Sequence, residues 1–344
     1  MWLTLRAGRI WIKVKYRRWI RLLIPLSWDA PIRKEMDRVE EEIRNAVNSE
    51  QGLLTDICMH VIGAGGKRIR PGLVLLSYNA VGGKDPQKVL GIAASFELIH
   101  SATLIHDDIN DHGEIRRGKA AAYKKFGVQK ALVAGDFLFV RSFRLGGQWN
   151  QEVVNIISEA CTATAESEIL QNAYEFVPYT PLDTYLQIIA GKTAMPMWAA
   201  ARVGAFLGEG TPEKIDAMGQ FGLALGMAFQ IVDDMLDIIG DESSLGKAHG
   251  IDFLDGKPTL PLIEAMKDTV VGERLAEMFS KEQKTREEIE EALRLVKQTK
   301  ALDASIKVAR KFADAALGHL SVLDGSPFKR SMSEMVEAVV DRKA

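Results

Sequence analysis

The chain has 344 residues, with 44 Lys and Arg against 46 Asp and Glu, a net charge of −2 and 47% hydrophobic residues. That balance is typical of a soluble globular protein and excludes a disordered, collagen-like or disulfide-stapled chain. Its two cysteines, Cys58 and Cys161, stand far apart with neither zinc spacing nor a disulfide framework, so a reducing, cytoplasmic setting is expected.

Charge is uneven along the chain. Residues 1–28 hold Arg6, Arg9, Lys13, Lys15, Arg17, Arg18 and Arg21 and no acid, which leaves the acidic excess to the body, residues 29–344. An acidic body argues against nucleic-acid binding, which relies on basic surface. Charges break every apolar run of the tail, so it is no signal peptide and falls short of the roughly 20 apolar residues of a bilayer span. Trp2, Ile10, Trp11, Ile12, Trp19, Ile20 and Leu22 interleave with the cations. Two readings fit: a helix lying peripherally on an anionic membrane, or an arm packed on the body or on a second subunit. No other stretch is expected to span a bilayer.

Past Trp28 the 3.6-residue period predicts helix after helix: 32–47, 90–106, 130–145, 152–173, 182–207, 212–239, 287–295, 301–323 and 328–341. A further helix should start at Pro71. Gly and Pro punctuate the joins, as at Gly63 to Gly66, Gly82-Gly83, Gly146-Gly147, Gly208 to Pro212 and Gly325 to Pro327. Alternating β-branched runs are nearly absent. The expectation is all-α: one catalytic-sized domain, residues 29–344, built as a single large helical bundle around a central cavity between two Asp-rich helices.

Those helices carry the chemistry. LIHDDIND places Asp107, Asp108 and Asp111, and FQIVDDMLD places Asp233, Asp234 and Asp237, at i, i+1 and i+4. On a helix this spacing gathers three carboxylates on one side. Negative charges crowded on an apolar helix need a cation. An all-oxygen donor set without His or Cys suits Mg²⁺, whereas the EF-hand spacing for Ca²⁺ is missing. Basic residues recur in apolar or Gly-rich settings: Lys67, Arg68 and Arg70 in GGKRIRP, Arg116 and Arg117 behind the first triplet, Lys192 in an apolar helix, and Lys247 and Lys257 behind the second. Cations before a helix start suit an anion, and together they describe a cavity for more than one diphosphate. His100 lies two turns before Asp107 on the same face; it suits either that cavity or a satisfied place in the core.

In this order the motifs GGKRIRP, LIHDDIND, RRG, Gly135-Asp136, KTA, FQIVDDMLD, Gly246-Lys247 and GKPTLP resemble those of the trans-isoprenyl diphosphate synthases, or polyprenyl synthetases, from about Ile32 to the end. The resemblance implies the isoprenoid-synthase bundle, a homodimer, and head-to-tail condensation of isopentenyl diphosphate with an allylic prenyl diphosphate. It implies three Mg²⁺ ions per site on the two triplets. Lys67, Arg70, His100 and Arg117 would hold isopentenyl diphosphate; Arg116, Lys192, Thr193, Gln230, Lys247 and Lys257 would face the allylic diphosphate. Two alternatives are a terpene cyclase, which has no use for GGKRIRP, and a non-catalytic regulatory subunit, which typically loses triplet aspartates.

Two departures bear on substrate length. Pro196 should kink the KTA helix. The family's chain-length floor lies four and five residues before the first triplet, here Thr103 and Ala102, both small. Products beyond fifteen carbons, geranylgeranyl or longer and leaning to twenty-five carbons or more, are therefore expected, unless Phe96, Phe137, Phe139 or Phe143 forms a deeper floor.

Overall fold

The computed structural model describes residues 28–146, 150–240 and 249–341, with the backbone of two strands in the tail, β1 (Trp2–Ala7) and β2 (Ile10–Lys15). Lys247 and the tail residues 16–27 lie outside the described residues.

The helical reading of the tail is overturned at these strands. β1 and β2 pair antiparallel, with Trp2 opposite Lys15 and Ala7 opposite Ile10. Cross-strand partners share a face of a pleated ribbon. The period is two, and β-branched Ile10, Ile12 and Val14 favour it; a helical period would have spread the cations around the axis.

The body is helical: α1 (Arg33–Ala46), α2 (Gly52–Ile62), α3 (Ile69–Ala80), α4 (Leu90–Asn110), α5 (Ala122–Phe126), α6 (Val128–Gly146), α7 (Gln151–Tyr174), α8 (Leu182–Ile189), α9 (Met195–Leu207) and α10 (Pro212–Ile239). There follow α11 (Ile251–Leu254), α12 (Leu260–Met266), α13 (Gly272–Phe279), α14 (Arg286–Gln298), α15 (Ala301–His319) and α16 (Pro327–Val340). A two-residue ribbon, β3 (Ile115–Arg116) with β4 (Lys119–Ala120), follows α4. The short helices α2, α5, α11, α12 and α13 escape a periodicity reading, because fewer than three or four turns carry little periodic signal.

α3, α9 and α10 form the centre, packed with α4 and α6 on one side and α15 and α16 on the other. α4 bears on the expectation that no stretch beyond the tail spans a bilayer. With its preceding turn, residues 86–110 are long and apolar enough to cross a membrane by composition, yet most of that window is buried inside the protein. It is a core helix. The main core runs from Ile32 to Val339, and a second cluster around Phe253, Phe279 and Val296 packs beneath the C-terminal end of α10.

Glycine sets the closest approaches. A Cβ on Gly222 would meet the Met197 carbonyl oxygen at 2.4 Å, and one on Gly226 would meet Ala194 Cα at 2.5 Å. The α9 backbone therefore lies directly on α10. Before α9 the chain makes a π-helical turn, Ala190–Ala194, and Pro196 sits in the first turn of α9. The expected irregularity is present, and its form is a wide turn: proline lacks the N–H of a regular helical bond and crowds the carbonyl four residues back. That turn carries Lys192 and Thr193.

Gly204 meets α3 equally closely, since a Cβ there would sit 2.3 Å from the Val74 carbonyl oxygen. Gly204→Ala should lower stability in denaturant unfolding by about 1–2 kcal/mol, overpacking outweighing the gain in helix propensity. A variant as stable as the parent would mean that α3 and α9 separate without cost.

Candidate active site

The first triplet ends α4. Asp107 and Asp108 lie in its last turn and Asp111 caps it. Asp108 is buried and accepts two hydrogen bonds from Arg116, at 2.8 and 2.5 Å. The β3–β4 ribbon brings that arginine back over the helix end. Its neighbour Arg117, in left-handed conformation at φ 52°, donates to the Gly65 carbonyl. A Cβ on Gly66 would lie 2.8 Å from the Arg117 guanidinium, so the glycines of GGKR make room for that arginine.

Arg68, left-handed at the start of α3, has a structural place: it pairs with Glu40 and Glu97, each at 2.5 Å. Arg68 also reaches the cavity, which Lys67 and Arg70 line with Arg116, Arg117 and His100. Burial, then Arg70, Arg117, Arg116 and Arg68, holds the His100 imidazole well below its usual range, so it is neutral. Its place is on the cavity wall.

The second triplet lies in the last two turns of α10. Asp234 is buried and accepts from Tyr185 Oη and from Gln230 Nε2, both at 2.7 Å, while Thr193 donates to Gln230 Oε1 at 2.7 Å. The π-helical turn and α8 thus orient this carboxylate. Asp237 is held by a short strap, residues 250–257: Ile251 N donates at 3.2 Å and Asp252 N at 3.1 Å to its carboxylate. The far end of the strap reaches the first triplet, where Lys257 Nζ donates to Asp111 at 2.7 Å and to Asp255 at 3.2 Å.

Between the triplets opens a cavity of about 1010 Å³. Asp107, Asp233, Lys192, Gln230 and the arginines form its polar end; Phe96, Ile99, Thr103, Phe139, Ile157 and Phe229 line its apolar part. Thr103 is on the wall. Ala102 is not: it is fully buried in the packed core. Successive helical residues turn by about 100°, which carries position 102 off the face of Asp107. Of the aromatic candidates Phe96 and Phe139 line the cavity, Phe137 is half-buried outside it, and Phe143 is exposed.

Several groups that the motifs do not flag belong to the site. Glu168 pairs with Lys192, and Gln171 accepts from Lys192 Nζ at 3.2 Å. With Thr164 they occupy one face of α7 at i, i+4 and i+7, the one signal that could have found them. Asp252, Asp255 and Tyr185 carried no comparable signal.

A hard divalent cation fits the donor chemistry. Among the described residues, the oxygens Glu168 Oε1 and Thr259 Oγ1 are buried near these carboxylates without a hydrogen-bond partner. Burial first, then Glu168 and Asp111, raises Asp107 to about 6 against the pull of Lys192 and Arg116. Burial and its neighbours Asp233 and Asp237 likewise raise Asp234, and burial with Asp237 raises Asp252. These shifts mark carboxylates that gain from added positive charge. Among the described residues no three such side chains converge on one point; Arg116, Lys257 and Tyr185 now hold them, and a cation would compete with those partners.

A polyprenyl synthetase family model matches residues 51–296. The chain is 34% identical over 321 residues to a short chain isoprenyl diphosphate synthase of Methanothermobacter thermautotrophicus, covering 91% of this chain and 98% of that one. It is equally 34% identical, over 311 residues, to the octaprenyl diphosphate synthase of Escherichia coli, covering 90% and 96%. The polyprenyl synthase of Caulobacter crescentus CB15, solved with calcium and isoprenyl diphosphate, superposes with a TM-score of 0.88 at 32% identity over 92% of this chain and 97% of that one.

A helical bundle with two facing Asp triplets and a cationic wall defines a prenyl-transferring synthase. The chain belongs to the polyprenyl synthetase family. The terpene cyclase alternative falls with that assignment.

Because Asp107 is raised above its unfolded value near 4, its own contribution to the stability of the metal-free protein is lost as pH rises from about 4 to about 6, where the folded site must release a proton. Cation binding favours the ionised form. Added Mg²⁺ should therefore raise Tm more at pH 7.5 than at pH 5; an equal increment at both would remove these carboxylates as ligands.

Proposed function

We propose that this enzyme condenses isopentenyl diphosphate with an allylic prenyl diphosphate, head to tail, into a trans-polyprenyl diphosphate of geranylgeranyl length or longer, leaning to twenty-five carbons or more. The observation that carries the reading is the single cavity, polar and cationic at one end and apolar beyond. It can take two diphosphates and a growing hydrocarbon together.

Lys67, Arg70, Arg117 and neutral His100 hold isopentenyl diphosphate, the guanidinium forks pairing with phosphate oxygens. Arg116, Lys192, Lys257 and, beyond the described residues, Lys247 face the allylic diphosphate, with Thr193 and Gln230 as hydrogen-bonding groups. Asp107, Asp108, Asp111, Asp233, Asp234 and Asp237 hold Mg²⁺. When bound, Mg²⁺ supplies positive charge to the departing diphosphate. The allylic C–O bond breaks and its electron pair leaves with the diphosphate. The double bond of isopentenyl diphosphate then attacks the cation, and the departed diphosphate accepts the proton lost. The apolar lining excludes water that would otherwise quench the cation.

The reading includes a homodimer, supported by exposed Leu132, Val133, Val140 and Phe143 on α6, since an apolar patch of this kind favours a second copy. It places the enzyme in the cytoplasm with peripheral membrane contact through the tail, whose sequence interleaves tryptophans and aliphatic residues with cations.

Purified protein with isopentenyl diphosphate and an allylic primer should form prenyl product that chelation abolishes. Asp107→Ala or Asp233→Ala should each lower kcat by at least about a hundredfold. Turnover that survives EDTA would remove the metal reading.

Product length follows from the wall rather than from Ala102. Thr103→Phe should shorten the product, because an added ring fills roughly one or two isoprene units of a close-packed channel. Mass spectrometry of the products decides it: an unchanged distribution in Thr103→Phe, or a parent that stops at fifteen carbons, would remove the floor.

A further inference from the structure

The strap 250–257 touches both triplets, yet it is only a single helical turn, α11, flanked by Gly250 at φ 77° and Gly256 at φ 69°. Left-handed glycines at both ends leave such a segment little stiffness of its own. What it leans on is outside the cavity. Phe253 is fully buried in the second core cluster. Phe176, after α7, donates its N–H to the Gly256 carbonyl at 2.9 Å, and its ring lies where a Cβ on Gly256 would be, 2.4 Å away.

One side chain joins these pieces. Lys284, in the α13–α14 loop, lies 4.5 Å from the centroid of Phe176, 5.3 Å from that of Phe253 and 5.8 Å from that of Phe279. Its ammonium donates to the Leu254 carbonyl at 3.2 Å and to the Lys281 carbonyl at 2.7 Å. Leu254 ends α11. A cation there satisfies an open carbonyl and complements the negative end of the helix, while three ring faces attract it by their quadrupoles. Burial lowers the Lys284 ammonium to about 8, and Asp255 and Glu288, from the strap and from α14, oppose that pull, so the side chain stays mostly charged at neutral pH.

We infer that Lys284 is a positioning residue: held by three phenylalanine rings and the end of α11, it fixes the strap that places Lys257 on Asp111 and two backbone amides on Asp237. Lys284 touches neither triplet, and no motif includes it. Its effect reaches the carboxylates through Lys257 and the amides of the strap, and it makes no contact with Lys67 or Arg70. The catalytic part of this inference rests on the prenyl-transfer reading; the structural part does not.

The test uses Lys284→Met, which keeps the apolar stem and removes the charge, Lys284→Arg, which keeps the cation, and Phe176→Leu, which removes one ring. In Lys284→Met and Phe176→Leu, hydrogen exchange at the amides of Ile251, Asp252 and Lys257 should accelerate roughly two- to thirtyfold, the ratio that loss of a cation–π contact implies. Exchange in the α10 core should not change. KM for the allylic substrate should rise several-fold with KM for isopentenyl diphosphate unaltered, and Lys284→Arg should restore both readouts. Unaltered exchange in the strap, acceleration spread equally through α10, equal KM effects on both substrates, or no rescue by arginine would each overturn it. The exchange measurement needs no turnover, so it succeeds or fails separately from the reading of the reaction.

Discussion

The structure turns on one electrostatic difficulty, the gathering of many carboxylates in a place with little water. Asp107, Asp108, Asp111, Asp233, Asp234 and Asp237 project from apolar helices, and Glu168, Asp252 and Asp255 join them. Burial and mutual repulsion raise several of these groups, as the directions at Asp107, Asp234 and Asp252 record. Such a cluster persists only where every acid has a partner or a ligand. Arg116 on Asp108, Lys257 on Asp111 and Asp255, and Lys192 on Glu168 supply the partners within the chain.

Each partner is delivered by an irregular piece of backbone. Arg116 comes from a two-residue ribbon, Lys192 from a π-helical turn, and Lys257 from a strap between left-handed glycines. Regular helices make the rigid frame; α9 lies on α10 so closely that only glycine fits at Gly222 and Gly226. The frame sets where the acids stand, and the irregular segments set what faces them. This division suits chemistry in which cationic groups must exchange partners as diphosphates arrive and leave.

The same frame decides how hydrocarbon is housed. The wall below Asp107 is small at Thr103 and aromatic further on at Phe96 and Phe139. Relatives whose names span short-chain and octaprenyl synthases stand at the same 34% identity. Overall likeness therefore carries no information on product length.

The sequence by itself determined the class of fold and the two triplets, because both are written in local spacing. Helical period marks long helices such as 212–239, and an i, i+1, i+4 pattern puts carboxylates on one face whatever packs around them. The same locality explains the misses. In the tail, Ile10, Ile12 and Val14 alternate at a period that only strand pairing makes visible. Ala102 and Thr103 are adjacent in sequence, but one turns into the core and the other into the cavity, a distinction made by the neighbours of α4. Tyr185 on Asp234, Glu168 on Lys192 and Lys284 beneath the strap join residues far apart in the chain. Such pairs exist only once the helices have packed, because no propensity or period encodes a distance between two distant segments; only the tertiary structure brings them together.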